Sequence, residues 1–333
     1  MLGLKYSITN KILNNLVEIT RLAEEIAQRK VTPPAYSRIK RESLAKTAHY
    51  STRIEGNPLT LGQVKSLLDG REVIAQRKAI NEVQNYIRVL EGIESYQRED
   101  DIHMDGVLRI HRDITIGVLD NPLACGKLRN IQNYVVAGSR IIYTPPPPEK
   151  VVPMMEELVS WINSDEAKGL NPVIQAGICH YAMAMIHPFE DGNGRVARAL
   201  AVLILRIRGF DEKGVFALDE YYEGDMPAYY RTLRLVDESK DLTGWLEYYT
   251  DGVLYSVKII LEVMRSLERS AGLNPMQRNA LKHVIKRGYI TNREYRKING
   301  VSNKTAYQDL KEMVEKGVFA EEGEGRAKKY IIS

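Results

Sequence analysis

The sequence predicts a mainly α-helical protein with one small β-hairpin and a separate small domain at its C-terminal end. Three observations carry this. Pro172–Ile186 (PVIQAGICHYAMAMI) and Val196–Ile207 (VARALAVLILRI) are apolar almost all round, as helices at the centre of a core are. In Asn133–Tyr143 (NYVVAGSRIIY), two β-branched and aromatic runs flank Ala137-Gly138-Ser139, the pattern of a hairpin. The last 61 residues, Leu273–Ser333, hold thirteen Lys and Arg against seven Asp and Glu, a net +6 that leaves −2 on residues 1–272.

The elements follow in order. The chain to about residue 95 reads as helices separated at Thr32-Pro33-Pro34 and Gly56-Asn57-Pro58. Ala35–Ile54 has helical character and Gly56-Asn57-Pro58 is a stop signal. Glu55 then sits in the last turn, where a negative charge opposes the helix dipole by about 0.3–1 kcal/mol; a partner arginine would offset that. Gly126–Arg129 (GKLR) precedes the hairpin, and Pro145–Pro148 follows it as a stiff extended connector. Glu212–Tyr249 is rich in tyrosine, including Tyr221, Tyr222, Tyr229 and Tyr230. Most of these read as half-buried helix positions, with some free to line a base-binding pocket. Tyr255–Glu268 reads as a connecting helix ended by Ala271-Gly272. Beyond it come a helix over Pro275–Lys286, a second from Ile290-Thr291, a third capped by Ser302, and strands Val318–Ala320 and Lys329–Ile332 around GEG.

Between the two apolar helices lies the most informative run, His187–Arg198 (HPFEDGNGRVAR). Gly192 and Gly194 permit positive φ and leave the backbone unobstructed, so successive N–H groups can form an anion-binding nest. The start of the following helix adds its free N–H groups and dipole. Asp191 is a hard oxygen ligand of the kind Mg²⁺ uses beside substrate phosphates. Arg195 and Arg198, three apart, can face the same end of a helix, and their planar forks suit phosphate. His187 is a neutral imidazole placed to act as a base. Gly192, Gly194 and Ala197 also fit a dinucleotide fingerprint, but that needs a preceding β-strand, and the Met- and Ala-rich stretch here has helical length. Gly126-Lys127 is followed by Leu128 and lacks the glycine of a P-loop.

HPFEDGNGR with a second arginine three residues on resembles the core motif of Fic-domain proteins, most of which transfer AMP from ATP to a hydroxyl side chain of a target protein. The resemblance covers roughly Asp100 to Gly252 and implies a Fic-type helical core with a hairpin flap. By position, it implies His187 as base for the target hydroxyl, Asp191 as Mg²⁺ ligand, and Gly192, Asn193 and Gly194 as phosphate cradle. Arg195 and Arg198 would meet the β and γ phosphates, and Phe189 would anchor the loop. Every motif position agrees. Ser51–Asn57 (STRIEGN) fits the inhibitory pattern [ST]-x-x-x-E-[GN] through Ser51, Glu55 and Gly56, which implies that Glu55 pairs with Arg198 and keeps it from the γ phosphate. The hairpin would be the flap that holds the target segment by strand addition. The implied division is residues 1–99 (helical, inhibitory), 100–254 (Fic core), 255–272 (linker helix) and 273–333. The last segment resembles a winged helix, with Ser302-Asn303-Lys304-Thr305 opening its recognition helix.

The expected function is therefore AMP transfer from ATP, with Mg²⁺, onto a Ser, Thr or Tyr hydroxyl of another protein or of the chain itself. DNA is an expected partner of residues 273–333, alongside a protein-contact role, and a homodimer stays open. Two alternatives remain: a DNA-binding regulator whose core senses nucleotide, and an enzyme that mainly removes AMP with the glutamate orienting a water. Composition bounds the rest. Hydrophobic content of 44% with 27% charged residues is that of a soluble globular chain. No apolar stretch reaches the ~20 residues of a membrane span, and the first residues lack the apolar core of a secretion signal. Two cysteines, Cys125 and Cys179, make no disulfide framework, so a reducing cytosol is expected. His180 and His187 lie seven apart, a spacing open to a shared metal, but no Cys or Glu-His pattern accompanies them.

Overall fold

A computed structural model describes residues 3–332 apart from 30, 138–139, 212, 271, 324 and 326–327. The chain divides into two compact units, one of residues 1–28 with 36–260 and one of residues 29–35 with 261–333. In the first lie α1 (Asn10–Gln28), most of α2 (Pro33–Ile54), α3 (Leu61–Leu68), α4 (Arg77–Glu91), α5 (Met104–Thr115), strands β1 (Val135–Ala137) and β2 (Arg140–Tyr143), α6 (Pro148–Asn163), α7 (Asp165–Lys168), α8 (Pro172–Ile186), α9 (Asn193–Ile207), α10 (Asp219–Gly224), α11 (Met226–Ser239) and the first part of α12 (Thr243–Ser270).

Helices α8 and α9 form the centre. Every residue of α8 from Val173 to Met183 is buried, as are Arg195–Ala201 and Leu203–Leu205 of α9. The two pack along each other, and α4 and α5 close on α9 from the side while α6 closes on α8. This burial is what the all-round apolar sequences require. The element before Gly192 is thus a helix, which removes the dinucleotide fingerprint. Close approach depends on small residues. A Cβ at Gly177 would lie 3.0 Å from Leu246 and Tyr249, and Trp245 Nε1 donates to the Gly177 carbonyl at 2.7 Å, so α12 lies directly on α8.

Helix α2 begins two residues before the expected Ala35 because proline suits a first helical turn. It ends at Ile54, and Gly56 takes φ +92° in the turn that follows. The hairpin forms as expected: β1 and β2 pair antiparallel with Val136 opposite Ile141 and a bulge between Val135 and Val136. Its turn, Gly138-Ser139, lies outside the described residues. The expected separate connecting helix over 255–268 is instead the continuation of α12, which runs unbroken from Thr243. Gly252 does not interrupt it. A Cβ there would meet the Tyr221 ring at 2.8 Å, so this glycine answers packing rather than a turn. The expected stop at Ala271 lies outside the described residues, while Gly272 has φ +77°.

The second unit holds α13 (Pro275–Arg287), α14 (Asn292–Asn299), α15 (Asn303–Glu315), β3 (Phe319–Glu322) and β4 (Lys329–Ile332). Asn274 with Gln277 and Thr291 with Glu294 make capping boxes, and the Ser302 hydroxyl accepts from Thr305 N–H. Each cap satisfies N–H groups that a helix leaves open. Strands β3 and β4 pair antiparallel, and Ile290 bridges to Tyr330. Leu281, Tyr295, Leu310, Met313 and Phe319 fill the core between them. Of the GEG between the strands, Glu324 lies outside the described residues.

Gly106, in α5, tests this packing. A Cβ there would lie 2.1 Å from the Tyr96 carbonyl oxygen, a backbone atom that cannot swing aside. Helix propensity alone favours alanine by roughly 1 kcal/mol. Gly106→Ala should nevertheless lower unfolding stability by about 1–3 kcal/mol, read from urea melts. An increase in stability would show that α5 has slack against Tyr96.

Candidate functional site

The loop between α8 and α9 is held by buried donors that grip its carbonyls. His187 caps α8 in the left-handed conformation, φ +50° and ψ +57°. Arg129, 3% exposed, donates from Nε to the His187 carbonyl at 2.8 Å and from Nη2 to the Pro146 carbonyl at 2.6 Å, and its own N–H reaches the Pro188 carbonyl at 2.8 Å. His111, fully buried, accepts the Gly126 N–H at Nδ1 (2.9 Å). Its Nε2 must then carry the proton, which it donates to the Asp191 carbonyl at 3.0 Å. The same ring stacks on Phe189 with centroids 3.8 Å apart and planes within 2°. Burial holds the His111 pKa down at about 4, so the ring stays a neutral staple.

Asn193 completes the loop. Its side chain accepts the Phe189 N–H and donates to the Phe189 carbonyl, both at 2.9 Å. The side chain expected in a phosphate cradle therefore ties the loop to itself, and only the backbone of Asn193 is left to face an anion. The two glycines also divide their work differently from expectation. Gly192 takes φ +82° at the cap of α9, whereas Gly194 is helical, with no positive φ. What Gly194 needs is space: a Cβ there would lie 2.2 Å from Glu55 Oε1. The Glu55 carboxylate thus rests on the first turn of α9, where free N–H groups and the dipole attract an anion.

Both arginines are buried and paired. Arg198 is 3% exposed. It donates from Nη2 to Glu55 Oε1 at 2.7 Å and to the Ser51 carbonyl at 3.0 Å, and from Nε to Ser51 Oγ at 2.7 Å. Asp219 Oδ1 lies 3.2 Å from the same Nε. Burial works against the Arg198 charge, but Glu55 and Asp219 more than restore it, and its pKa stands well above the ordinary value. Burial in turn raises the Asp219 carboxyl to about 6. Arg195, 2% exposed, is paired through Nη1 with Glu82, and Nη2 lies 3.6 Å from Asp191 Oδ1. Glu82 Oε2 also accepts from Asn57 Nδ2 at 2.7 Å. Asp191 keeps a largely exposed carboxylate, with Oδ1 accepting the Gly192 N–H at 2.5 Å.

His187 faces a cavity of about 340 Å³ whose wall also includes Glu55, Gly194, Arg198, Tyr229 and the hairpin residues Val135 and Ile142. Its Nδ1 lies 3.2 Å from the Ala184 carbonyl, which can only accept, so Nδ1 carries the proton and Nε2 keeps its lone pair. Burial lowers the His187 pKa below the ordinary imidazole range. The ring is thus a neutral base at pH 7. His180 plays no part here: its Nε2 lies 2.9 Å from Tyr229 OH within a cluster of Tyr222, Trp245 and Tyr249, and no group of three metal-ligating side chains occurs among the described residues.

Residues 101–205 match the Fic/DOC family. The chain carries a Fic/DOC domain. Over 182 residues it is 35% identical to protein adenylyltransferase fic-1 of Caenorhabditis elegans, covering 53% of this chain and 34% of that one. Protein adenylyltransferase Fic of Drosophila melanogaster is 34% identical over 180 residues, 53% of this chain and 35% of that one. The chain thus spans about a third of the length of the curated relatives it matches. Among solved structures, a Fic family protein from Desulfovibrio desulfuricans G20 superposes over 98% of this chain and 97% of its own with a TM-score of 0.69, at 23% identity, which shows the fold. Fic-1 of Caenorhabditis elegans superposes over 77% of this chain and 73% of its own with a TM-score of 0.65, at 26% identity.

Within the Fic domain and its N-terminal helices, the structure brings together His187, Gly194, Arg198 and Glu55 in one cavity and sets Ser51 behind Arg198. Gly56 lies in the turn after Glu55. Sequence reasoning missed His111, Arg129, Glu82 and Asp219. Arg129 alone carried a local signal, the GKLR run before the hairpin. The other three stand on distant helices in ordinary contexts.

His111 offers a test through pH. Its folded pKa lies below the unfolded value, so as pH falls below about 6.5 the unfolded chain takes up a proton that the fold refuses. The stability His111 contributes is full above that pH and is lost on the way down to about 4. His111→Gln should therefore be markedly less stable than wild type at pH 7.5, with the gap narrowing by about 2–3 kcal/mol at pH 4.5. Paired thermal melts at the two pH values check this. A gap independent of pH would mean that the ring titrates in place.

Proposed function

We propose that the chain is a protein adenylyltransferase that moves AMP from ATP to a hydroxyl side chain of a target protein and is held inactive by Glu55. The observation that carries this is the position of the Glu55 carboxylate: on Gly194 at the start of α9, 2.7 Å from Arg198, in the same cavity as His187. An anionic side chain fills the place that the helix terminus and arginine offer to a phosphate.

In the proposed reaction His187 Nε2 takes the proton of a Ser, Thr or Tyr hydroxyl as its oxygen bonds to the α-phosphorus. The bond from that phosphorus to the bridging oxygen breaks, and pyrophosphate leaves with the electron pair. Arg195 and Arg198, freed from Glu82 and Glu55, would take the β and γ oxygens, and the backbone of Gly192–Gly194 would cradle them. Catalysis of this kind is positioning and charge stabilisation. Asp191, exposed and beside the loop, suits Mg²⁺, which keeps waters and substrate oxygens as its other ligands; the ion, when bound, neutralises phosphate charge. The hairpin would present the target segment by pairing along its edge. The second unit, three capped helices and a two-stranded ribbon, is proposed as a winged-helix module.

Two sets of variants test the proposal. With α-labelled ATP and lysate, His187→Ala should cut label transfer by ~10²–10⁴-fold while ATP still binds, and Asp191→Ala should remove the dependence on Mg²⁺. Because the His187 pKa is lowered, the wild-type rate should stay level from pH 8 to 6.5 and fall only in more acid buffer. A His187→Ala enzyme with wild-type turnover would overturn the assignment.

Glu55→Gly should raise initial labelling by roughly ten- to a hundredfold, the scale of coupled sites. Adding Arg198→Ala should abolish the gain, because that arginine is also needed for ATP. Equal rates for wild type and Glu55→Gly would reduce the pair to a structural contact. A slower Glu55→Gly, together with loss of AMP from a pre-labelled target by the wild type, would favour AMP removal.

A further inference from the structure

The second unit carries a charge arrangement that its sequence count does not reveal. Its carboxylates are consumed in holding the unit together. Asp309 is buried and accepts from Tyr295 OH at 2.7 Å and Asn274 Nδ2 at 2.9 Å. Glu294 caps α14 and lies 3.0 Å from Arg287. Glu312 holds Gln277 at 2.8 Å and Lys316 at 2.6 Å. The cations are left outward. Among the described residues no carboxylate pairs with Lys282, Arg293, Arg296, Lys297 or Lys304, all exposed.

One helix face concentrates these groups. On α15 the core side is Ala306, Asp309, Leu310 and Met313. The opposite side exposes Asn303, Lys304, Tyr307, Gln308 and Lys311, a stripe two turns long at helical spacing. Tyr307 is 54% exposed, a ring left in solvent between two lysines. Helix α14, packed against α15, exposes Arg293, Arg296 and Lys297. Asn and Gln pair with adenine edges, Lys with guanine, and exposed cations with phosphate.

We propose that this face of α15 binds duplex DNA in the major groove, with the cations of α14 on the flanking phosphates. The proposal rests on reading the second unit as a winged-helix module. The groove decides the nucleic acid. A major groove of B-DNA admits an α-helix, whereas the narrow major groove of A-form RNA does not. The side chains decide against an acidic peptide, since a row of amide, lysine and tyrosine matches base edges rather than carboxylates alone.

The full-length chain tests this with a labelled random-sequence duplex, read by anisotropy. Binding should weaken steeply between 50 and 200 mM salt, with a slope of about −0.9 per phosphate contact. Arg296→Ala with Lys297→Ala should lower that slope by about 2. Asn303→Ala with Gln308→Ala should weaken a duplex selected from a random pool by roughly 5- to 100-fold while leaving unselected duplex unchanged. AMP transfer by the same variants should stay at wild-type rates. Hydrogen exchange separates the two levels of inference. Unprotected amides across α13–α15 would sink the module reading itself. Protected amides in α15 that do not respond to duplex at low salt would sink the DNA reading alone. Binding of a poly-glutamate peptide but no duplex would likewise overturn it and make the face a protein-docking surface.

Discussion

A guanidinium buried to 3% exposure has to be neutralised where it stands, and much of the first unit is arranged around that requirement. Breaking a buried pair by removing one partner typically costs about 3–5 kcal/mol, because the remaining charge stays in a poor solvent. Arg198 escapes that risk by having two carboxylates. Asp219 is buried with it, while Glu55 is 26% exposed on the cavity side. Helix α2 supplies Ser51 and Glu55, α9 supplies the arginine, and α10 supplies Asp219. One charge thus fixes three helices. It also makes Glu55 dispensable to the fold in a way that Asp219 is not, since a counter-charge remains when Glu55 leaves.

The second constraint is the loop of His187–Gly192. Its backbone turns through two left-handed residues and sits between two helices with no solvent to satisfy its carbonyls. Arg129, His111 and Asn193 supply those donors, and Phe189 fills the space beneath. A loop fixed this way presents the imidazole and the start of α9 at one spacing, which is what group transfer by positioning requires. The hairpin is joined to the same body: Tyr143 OH donates to the Met185 carbonyl at 2.7 Å and Asn133 Nδ2 to the Phe189 carbonyl at 2.9 Å. Flap and base therefore share a reference frame.

The pairing of Arg195 with Glu82, and of Glu82 with Asn57, extends the same logic. Asn57 follows Glu55 and Gly56 in the turn after α2. One carboxylate then touches both the segment that bears Glu55 and the first arginine of the loop, so the two proposed phosphate ligands are both occupied in this arrangement.

Local chemistry determined much of this by itself. The all-round apolar composition of Pro172–Ile186 could only be a buried helix, and its bounds were legible to the residue because Pro172 starts it and His187 departs from helical φ. The caps at Ser302, Thr291 and Asn274 are written in the sequence since each depends on residues three positions apart. His187, Asp191, Gly192–Arg195 and Arg198 were legible as a group for the same reason: they lie in one short run. What the sequence could not decide is anything that depends on which distant surfaces meet. Gly194 looked like a turn residue and proved to be a helical one that leaves room for a carboxylate from α2. Asn193 looked like a phosphate ligand and proved to hold the loop closed. His111, Glu82 and Asp219 carry no local mark, because a buried polar group is defined by its partner, and its partner is chosen only when the helices pack.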